Sequence, residues 1–167
     1  MTALTTTAEA TQQMSPVVRA PGEGSRHDVL GATHLYKVLA AETGGSLSVF
    51  EETIPPGIGA PPHTHSREDE AFYIVAGEMT FEIEGRSRPL RLGAGGFVLA
   101  PRGSRHAFRN ESAAEAKMLV LALPGAGLER MFGAFDAAVR KAGAGMPPVE
   151  EIVAIAARSG VTVDPPA

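Results

Sequence analysis

Histidines and carboxylates in two separate stretches have the types and spacing of a metal site. His63 and His65 are two residues apart, so in an extended chain both imidazoles point to the same side. The acidic run 68–70 follows a short polar loop, and on composition alone any of its carboxylates is a possible ligand. His106 comes from a distant turn. Three imidazoles and one carboxylate suit one divalent transition metal, such as Fe, Ni, Co, Mn, Cu or Zn, with positions left open for chemistry.

The composition limits both the fold and the partners. The chain has 167 residues, 44% of them apolar and 20% charged, which suits one globular domain with short additions at its ends. A net charge of -4 gives no reason to expect binding to nucleic acid or to an anionic membrane surface. The lack of cysteine excludes disulfides and thiolate ligands, and residues 1–10 lack the pattern of a signal peptide. We therefore expect a soluble cytoplasmic protein.

Short apolar runs separated by glycine and proline predict the elements that hold the site. They are typical of an antiparallel sandwich or barrel, with strands at 34–40, 47–54, 71–76, 79–84, 87–92, 97–100, 106–109 and 117–123. After Pro124 the spacing becomes helical, first over 128–139 and then after Pro147-Pro148, where the apolar stripe is Val149, Ile152, Val153 and Ala156. We predict a mobile N-terminal arm over 1–24, a β-barrel over 25–124 and a helical extension over 125–167.

Ten positions in the two stretches resemble the two sequence motifs of the cupin family. The fixed residues are Gly57, His63, His65, Glu70 and Gly77 in the first motif, and Gly95, Pro101, Gly103, His106 and Asn110 in the second. The resemblance implies an all-β fold, the double-stranded β-helix or jelly-roll barrel, here with a C-terminal pair of α-helices. It also implies that Glu70 is the carboxylate ligand and that the chain forms a homodimer. Glu68 and Asp69 are then expected to be solvated loop charges.

Strand alternation places apolar side chains beside these ligands. Phe72 and Ile74 share a face with Glu70, and Phe108 shares a face with His106, so all three should point into the barrel. They can form the wall of a substrate pocket, the core of the barrel, or both at once.

Several other side chains are expected to have structural roles. His27 and His34 match no motif and are interpreted as surface or strand residues. Tyr73 should face away from the site and pack between layers. The arginines at 102, 105 and 109 are expected to lie in a solvated turn. We expect the first helix to pack on the outside of the barrel rather than to act as a lid.

The resemblance leaves three functions open. The first is a metal-dependent dioxygenase acting on a phenolic or enolic small molecule, as in quercetinase-like cupins, with dioxygen as the second substrate. In that reaction Glu70 accepts the substrate's proton as a general base while His63, His65 and His106 remain ligands. The second is a metal-dependent isomerase, lyase or cyclase that uses no oxygen. The third is a non-catalytic protein that binds a small ligand.

Overall fold

The computed structural model describes residues 14–143 and 145–164, and the rest of the predicted arm (1–13), Ala144 and residues 165–167 lie outside the described residues. Residues 14–24 precede the first strand without helix or strand, and Arg19 in this segment forms a 2.6 Å ion pair with Glu42. A 3₁₀ turn follows the second strand at Ala40–Thr43. The helices are α1 (Ala126–Ala142) and α2 (Val149–Arg158). The strands are β1 (Ser25–Val29), β2 (Ala32–Val38), β3 (Ser48–Ile54), β4 (Gly59–His65), β5 (Asp69–Ala76), β6 (Glu78–Ile83), β7 (Leu90–Gly93), β8 (Phe97–Ala100), β9 (Arg105–Arg109), β10 (Ala116–Leu123) and β11 (Val161–Val163).

The strands form two antiparallel sheets with a hydrophobic core between them. One sheet has the order β1-β2-β3-β10-β5-β8, and the other has the order β11-β4-β9-β6-β7. From β3 to β6, and again from β8 to β10, the chain passes from one sheet to the other, which is the connectivity of a jelly roll. The predicted all-β barrel with two C-terminal helices is therefore confirmed.

β3 and β10, the two central strands of their sheet, have strictly alternating side chains. Every second residue of β3 is buried, and β10 follows the same pattern. Burial of each large apolar side chain contributes roughly 1.5–3 kcal/mol, so the inner face orients the sheet towards the core. The core residues with no exposed surface include Ile54, Phe72, Ile74, Met79, Phe81, Met118 and Val120.

The strand β4 is not among the strands predicted from the sequence. Both histidines lie inside β4, which pairs with β9 on one side and with β11 on the other. Pro61 and Pro62 hid this strand, because proline has no N–H to donate and is rare inside sheets. The register between β4 and β9 shifts between Ala60 and His63, so an irregularity accommodates the two prolines.

The two helices begin close to where the sequence predicts, but α2 presents a different face. Val149 and Val153 belong to its predicted stripe, yet they are 62% and 41% exposed, while Ile155 and Ala156 are buried. That part of the prediction is wrong because α2 packs against both α1 and β11, which turns its buried face towards Ile155. Neither helix of the described residues has the length and apolar character that a membrane crossing requires.

The outer face of β5 also departs from expectation. Tyr73 points away from Glu70 as predicted, but it is 44% exposed rather than packed between layers. It stands opposite Phe97 on β8, which is 58% exposed. Within the described part of the chain no further layer covers this side of the sheet.

The motif glycines and Asn110 shape the turns around the site. Gly57, Gly77, Gly95 and Gly103 all have φ between 75° and 87°, a region that favours glycine. Gly77 has a second reason, since a Cβ there would lie 2.8 Å from the Cα of Ala116. Asn110 is fully buried and donates 2.8 Å hydrogen bonds to the carbonyl oxygens of Ile54 and Ala114, so it closes the turn after β9.

Candidate metal centre

The two sheets bring together the four residues that the motifs single out. His63 and His65 lie on β4 with their side chains on the inner face, and His106 is the direct partner of His63 on β9. Glu70 comes from β5 in the opposite sheet, where it pairs with Ala122. All four side chains are buried. The cluster thus joins the two halves of the barrel.

The ligand atoms of these residues converge on one point. One nitrogen or oxygen from each residue lies within 4.8 Å of the corresponding atoms of the other three. Oε2 of Glu70 lies 3.3 Å from Nε2 of His65 and 3.3 Å from Nε2 of His106. A carboxylate oxygen between imidazole nitrogens at this spacing is the donor set that a borderline divalent metal prefers.

Backbone carbonyl groups fix which nitrogen faces the cluster. Nδ1 of His63 lies 2.8 Å from the carbonyl oxygen of Pro61, and Nδ1 of His106 lies 3.2 Å from that of Ser104. A carbonyl oxygen only accepts, so Nδ1 of His63 carries the proton and its Nε2 keeps its lone pair for a metal. In His106 the carbonyl group orients the ring in the same way, with Nε2 towards Glu70. His65 is buried, and neither of its ring nitrogens has a hydrogen-bond partner among the described residues. These are features of metal ligands rather than of packed core histidines.

Electrostatics prepare the cluster for a cation. Burial lowers the pKa of His63 to about 4, helped by the nearby His106, so this ring is neutral at physiological pH. Burial alone raises the pKa of Glu70, but His65 and His106 outweigh it and hold the pKa well below its ordinary value. For His65, burial lowers the pKa, and the attraction of Glu70 more than reverses this. The site therefore holds an ionised carboxylate among imidazoles.

Glu68 is buried beside the cluster, so its interpretation as a solvated loop charge is wrong. Its side chain is 1% exposed, and its Oε2 lies 3.9 Å from Nδ1 of His65. Its other oxygen lies against Gly127 in the first turn of α1, where any side chain at position 127 would collide with it. The free N–H groups of a helix's first turn favour a carboxylate. Burial raises the pKa of Glu68. The carboxylate thus connects the back of a predicted ligand to the first helix.

Asp69 is partly exposed, as expected of a solvated charge, and it also forms an ion pair with Arg102. Its carboxylate accepts hydrogen bonds from Arg102, at 2.8 Å from the backbone N, 3.0 Å from Nε and 2.7 Å from Nη2. These bonds hold the pKa of Asp69 well below its ordinary value. The pair attaches the turn before His106 to the beginning of the strand that carries Glu70.

A cavity of about 130 Å³ opens onto the cluster, and most of its wall is apolar. Phe108 lines this cavity, whereas Phe72 and Ile74 are absent from its wall and lie in the hydrophobic core. The ring of Phe72 packs edge-on to His106 with centroids 5.9 Å apart, so it supports a predicted ligand from behind. The other apolar residues of the wall include Val29, Leu30, Ala32, Phe50, Ile58, Ala60, Met131, Phe132, Phe135, Ile152, Ala156, Val161 and Val163.

Both helices contribute to the wall of this cavity, although the sequence predicted only that the first helix packs on the outside of the barrel. Met131, Phe132 and Phe135 of α1, and Ile152 and Ala156 of α2, face the same cavity as the metal cluster. The extension therefore forms part of the cavity wall. The helical spacing of these apolar residues identified the face that packs, but a spacing carries no information about the surface it packs on.

Two polar residues of the cavity wall were not predicted from the sequence to belong to the site. His34 on β2 and Glu52 on β3 are 2% and 6% exposed, and both line the cavity. His34 was interpreted as an ordinary strand residue because it belongs to no motif. A usable signal exists in the alternation of β3, where Glu52 stands at an inward position between Phe50 and Ile54.

The sequence and fold of known proteins agree with this description. The family model for the Cupin domain (Cupin_2) matches residues 50–122. The chain is 31% identical to quercetin 2,3-dioxygenase of Bacillus subtilis (strain 168) over 112 residues, which are 66% of this chain and 32% of that protein. It is 31% identical to polyketide synthase CurC of Streptomyces cyaneus over 87 residues, 52% of this chain and 54% of that protein. The chain thus spans about a third to a half of the length of these curated relatives.

Among solved structures, the polyketide cyclase RemF from Streptomyces resistomycificus has the same fold. The TM-score is 0.56 with 21% sequence identity, and the match covers 67% of this chain and 80% of that one. Two facing sheets in jelly-roll order, together with the Cupin domain match over residues 50–122, identify the barrel of this chain as a cupin domain.

Proposed function

We propose that this cupin is a metal-dependent dioxygenase that acts on a phenolic or enolic small molecule. The observation that carries the proposal is the convergence of three histidines and Glu70, within 4.8 Å of one another, at the edge of a cavity with an apolar wall. A sealed structural metal site does not need such a cavity, whereas a reactive site does.

The donor set fits a single divalent transition metal, held by His63, His65, Glu70 and His106. When bound, such a metal lowers the pKa of a substrate hydroxyl and brings the substrate and dioxygen together. Two of the three histidines have a backbone carbonyl behind Nδ1, and Glu68 lies behind the third, so the rings are held in place for binding.

Glu70 is the group best placed to accept the substrate's proton. Its Oε2 lies between two imidazole nitrogens, and its carboxyl group is held in the ionised form. It also lines the cavity, so a substrate hydroxyl can reach it. The three histidines remain ligands throughout, and the apolar wall excludes water from the reacting carbon atoms.

The cavity volume bears on the size of the substrate. A dry engineered cavity of roughly 150 Å³ is known to bind benzene, so about 130 Å³ accommodates one aromatic ring with the helices where they stand. A molecule with three rings, such as a flavonol, exceeds this volume. We therefore include both single-ring and flavonol substrates in the test.

Oxygen uptake tests the proposal directly. The protein is loaded in turn with Fe, Ni, Co or Mn and supplied with catechols, 1,3-diketones and flavonols, while dissolved oxygen is recorded. We expect uptake that depends on metal and on at least one of these substrates, and loss of uptake in Glu70→Gln. Glu51→Gln is the matched control, because Glu51 lies on the outward face of β3 and pairs with Lys37 instead. No uptake with any pair of metal and substrate contradicts the dioxygenase.

A metal-dependent cyclase that uses no oxygen is the second candidate. The sequence similarity to polyketide synthase CurC supports it, because the chain is as similar to CurC as to the quercetin dioxygenase, at 31% identity. The same Glu70 would remove a proton from a carbon beside a carbonyl, and the apolar wall would fold the substrate. Conversion of a poly-β-ketone under strict anaerobiosis favours this function over the dioxygenase. Saturable binding without conversion of any compound favours a ligand-binding protein.

We further propose that two copies pair through the exposed outer face of β5 and β8. Four large apolar side chains on it are 44–58% exposed, namely Tyr73, Val75, Phe97 and Leu99. Contiguous exposed apolar surface of this kind is typical of protein interfaces. Light scattering should give twice the chain mass for the wild type and the single mass for Phe97→Lys. A wild-type protein of single mass contradicts the homodimer.

A further inference from the structure

We propose that His34 and Glu52 form a second polar site in the cavity that binds a hydroxyl group at the far end of the substrate. The inference rests on the proposed function in that it takes this cavity as the substrate site. It names the substrate class more narrowly. The substrate is an aromatic molecule with a phenolic or enolic end at the metal cluster, an apolar middle, and a hydroxyl group that donates to Glu52.

The pair is polar, buried and part of the cavity wall. His34 and Glu52 are direct partners across β2 and β3, and Nε2 of His34 lies 3.4 Å from Oε1 of Glu52. Nδ1 of His34 is buried and has no hydrogen-bond partner among the described residues. Burying such groups in an apolar core costs free energy, and two apolar residues would pack here at lower cost. A polar pair retained at an apolar cavity wall is accounted for by a polar ligand group.

The position of the pair sets the shape of the ligand. In the register of β3, β10 and β5, Glu52 lies level with Ile74, four residues along β5 from Glu70. Two strand spacings and four residues correspond to roughly 10 Å across the sheet and about 13 Å along it between the backbones. Side chains from both places point inward and line one cavity, so one ligand can contact both. A ligand that contacts both needs polar groups separated by an apolar framework.

The ring of His34 is held rigidly. It stacks on Phe50 with centroids 4.4 Å apart and an angle of 18° between the planes. Phe132 of α1 packs edge-on against the same imidazole ring, with centroids 4.5 Å apart and an angle of 78° between the planes. A ring fixed on two sides keeps the adjacent carboxylate oriented, so His34 acts as a positioning residue and Glu52 as the acceptor. Phe132 thus brings α1 into contact with this end of the cavity.

A matched pair of catechols tests the inference without turnover. 4-(2-Hydroxyethyl)catechol and 4-propylcatechol share the end that a metal binds and differ only in a terminal hydroxyl in place of a methyl group. Binding of each to zinc-loaded protein is measured by calorimetry, because zinc supports no redox chemistry. We expect the wild type to bind the hydroxyethyl compound roughly tenfold more tightly, since a hydrogen bond to a buried carboxylate contributes about 1.4 kcal/mol or more.

Two variants of Glu52 test whether its carboxylate causes the preference for the hydroxyethyl compound. Glu52→Leu should reverse the preference in favour of the propyl compound, and Glu52→Gln, which keeps the shape and folds more readily, should reduce the ratio to about threefold or less. Ile54→Val is the control, because it weakens the core next to Glu52 on the same face of β3 and should leave the ratio unchanged. An unchanged ratio in both Glu52 variants, or a wild type that prefers the propyl compound, overturns the inference.

The outcomes separate this inference from the proposed function. The predicted ratio combined with no oxygen uptake contradicts the dioxygenase and supports the second polar site. Oxygen uptake combined with an unchanged ratio overturns the second polar site alone. If the wild type binds neither catechol, both are overturned, because the cavity then takes no phenolic ligand.

Discussion

Val161, near the end of the described chain, is the direct strand partner of His65. The same short strand pairs Val163 with His63, so β11 lies beside both histidines of the first motif. β11 is also the edge strand of its sheet. Just after it, the backbone N–H of Asp164 donates a 2.9 Å hydrogen bond to the carbonyl oxygen of Pro62. The C-terminal extension therefore completes the sheet that carries the three histidines of the candidate metal centre.

This pairing predicts that damage to β11 weakens metal binding from a distance. Thr162→Pro removes a backbone N–H opposite Thr64 and disfavours the strand, while the exposed Thr162 side chain contributes little packing. We expect the metal Kd to rise about tenfold or more, as is usual when the support of a ligand is lost. Competition with a chelator measures the change, and Thr162→Val, a good strand former, should behave as the wild type. Equal Kd values for both variants would show that β11 is dispensable to the site.

Glu68 provides a second prediction about ligand support. Glu68→Gln replaces the carboxyl group that lies behind His65 and beside the first turn of α1. We expect a fall in metal affinity of roughly 10- to 100-fold with little change in secondary structure. Glu51→Gln removes an outward-facing carboxylate on β3 and is the control, expected to change the affinity by less than about threefold. If the two variants have the same affinity, Glu68 has no special role.

Asp136 attaches α1 to the barrel, and its contribution depends on pH. Its carboxylate accepts a 2.9 Å hydrogen bond from the backbone N of Asp28 and a 2.8 Å bond from Nε of Arg140. Burial alone raises the pKa of Asp136, but these bonds outweigh it and hold the pKa below its ordinary value. A lowered pKa in the folded protein means that the stabilisation is complete above the unfolded pKa and is lost as the pH falls through the folded pKa.

Asp136→Asn should therefore lower the free energy of unfolding by about 1–2 kcal/mol at pH 7. The difference from the wild type should shrink as the pH is lowered towards 3, because the wild-type carboxyl group becomes protonated as well. Urea unfolding at a series of pH values measures it. A difference that is constant with pH, or that grows in acid, contradicts the assigned role of this carboxylate.

The sequence predicted which four side chains converge better than it predicted their surroundings. His63, His65, Glu70 and His106 stand in motifs whose order and spacing are diagnostic, and the strand over 97–100 was predicted with its observed bounds. β4 was missed because its two prolines resemble a turn. The burial of Glu68 was missed because it depends on the first turn of α1, about 60 residues further along the chain.

The cavity shows the same limit. Alternation along β5 placed Phe72 and Ile74 inside the barrel, and they are inside, but alternation does not separate the wall of a cavity from the core beneath it. Much of the wall comes from α1 and α2, and their docking depends on contacts between distant parts of the chain. His34 and Glu52 belong to no motif, so only the assembled sheet shows that they face one cavity.

The number of metal ions bound per chain tests the central claim most directly. Purified protein is incubated with excess Fe, Ni, Co, Mn, Cu or Zn, dialysed, and analysed by elemental mass spectrometry together with His63→Ala and His106→Ala. We predict about one equivalent of at least one metal in the wild type and a loss of most of it in both variants, with circular dichroism unchanged. Full retention of the metal in the two variants, or no metal in the wild type, contradicts a centre built from these four residues.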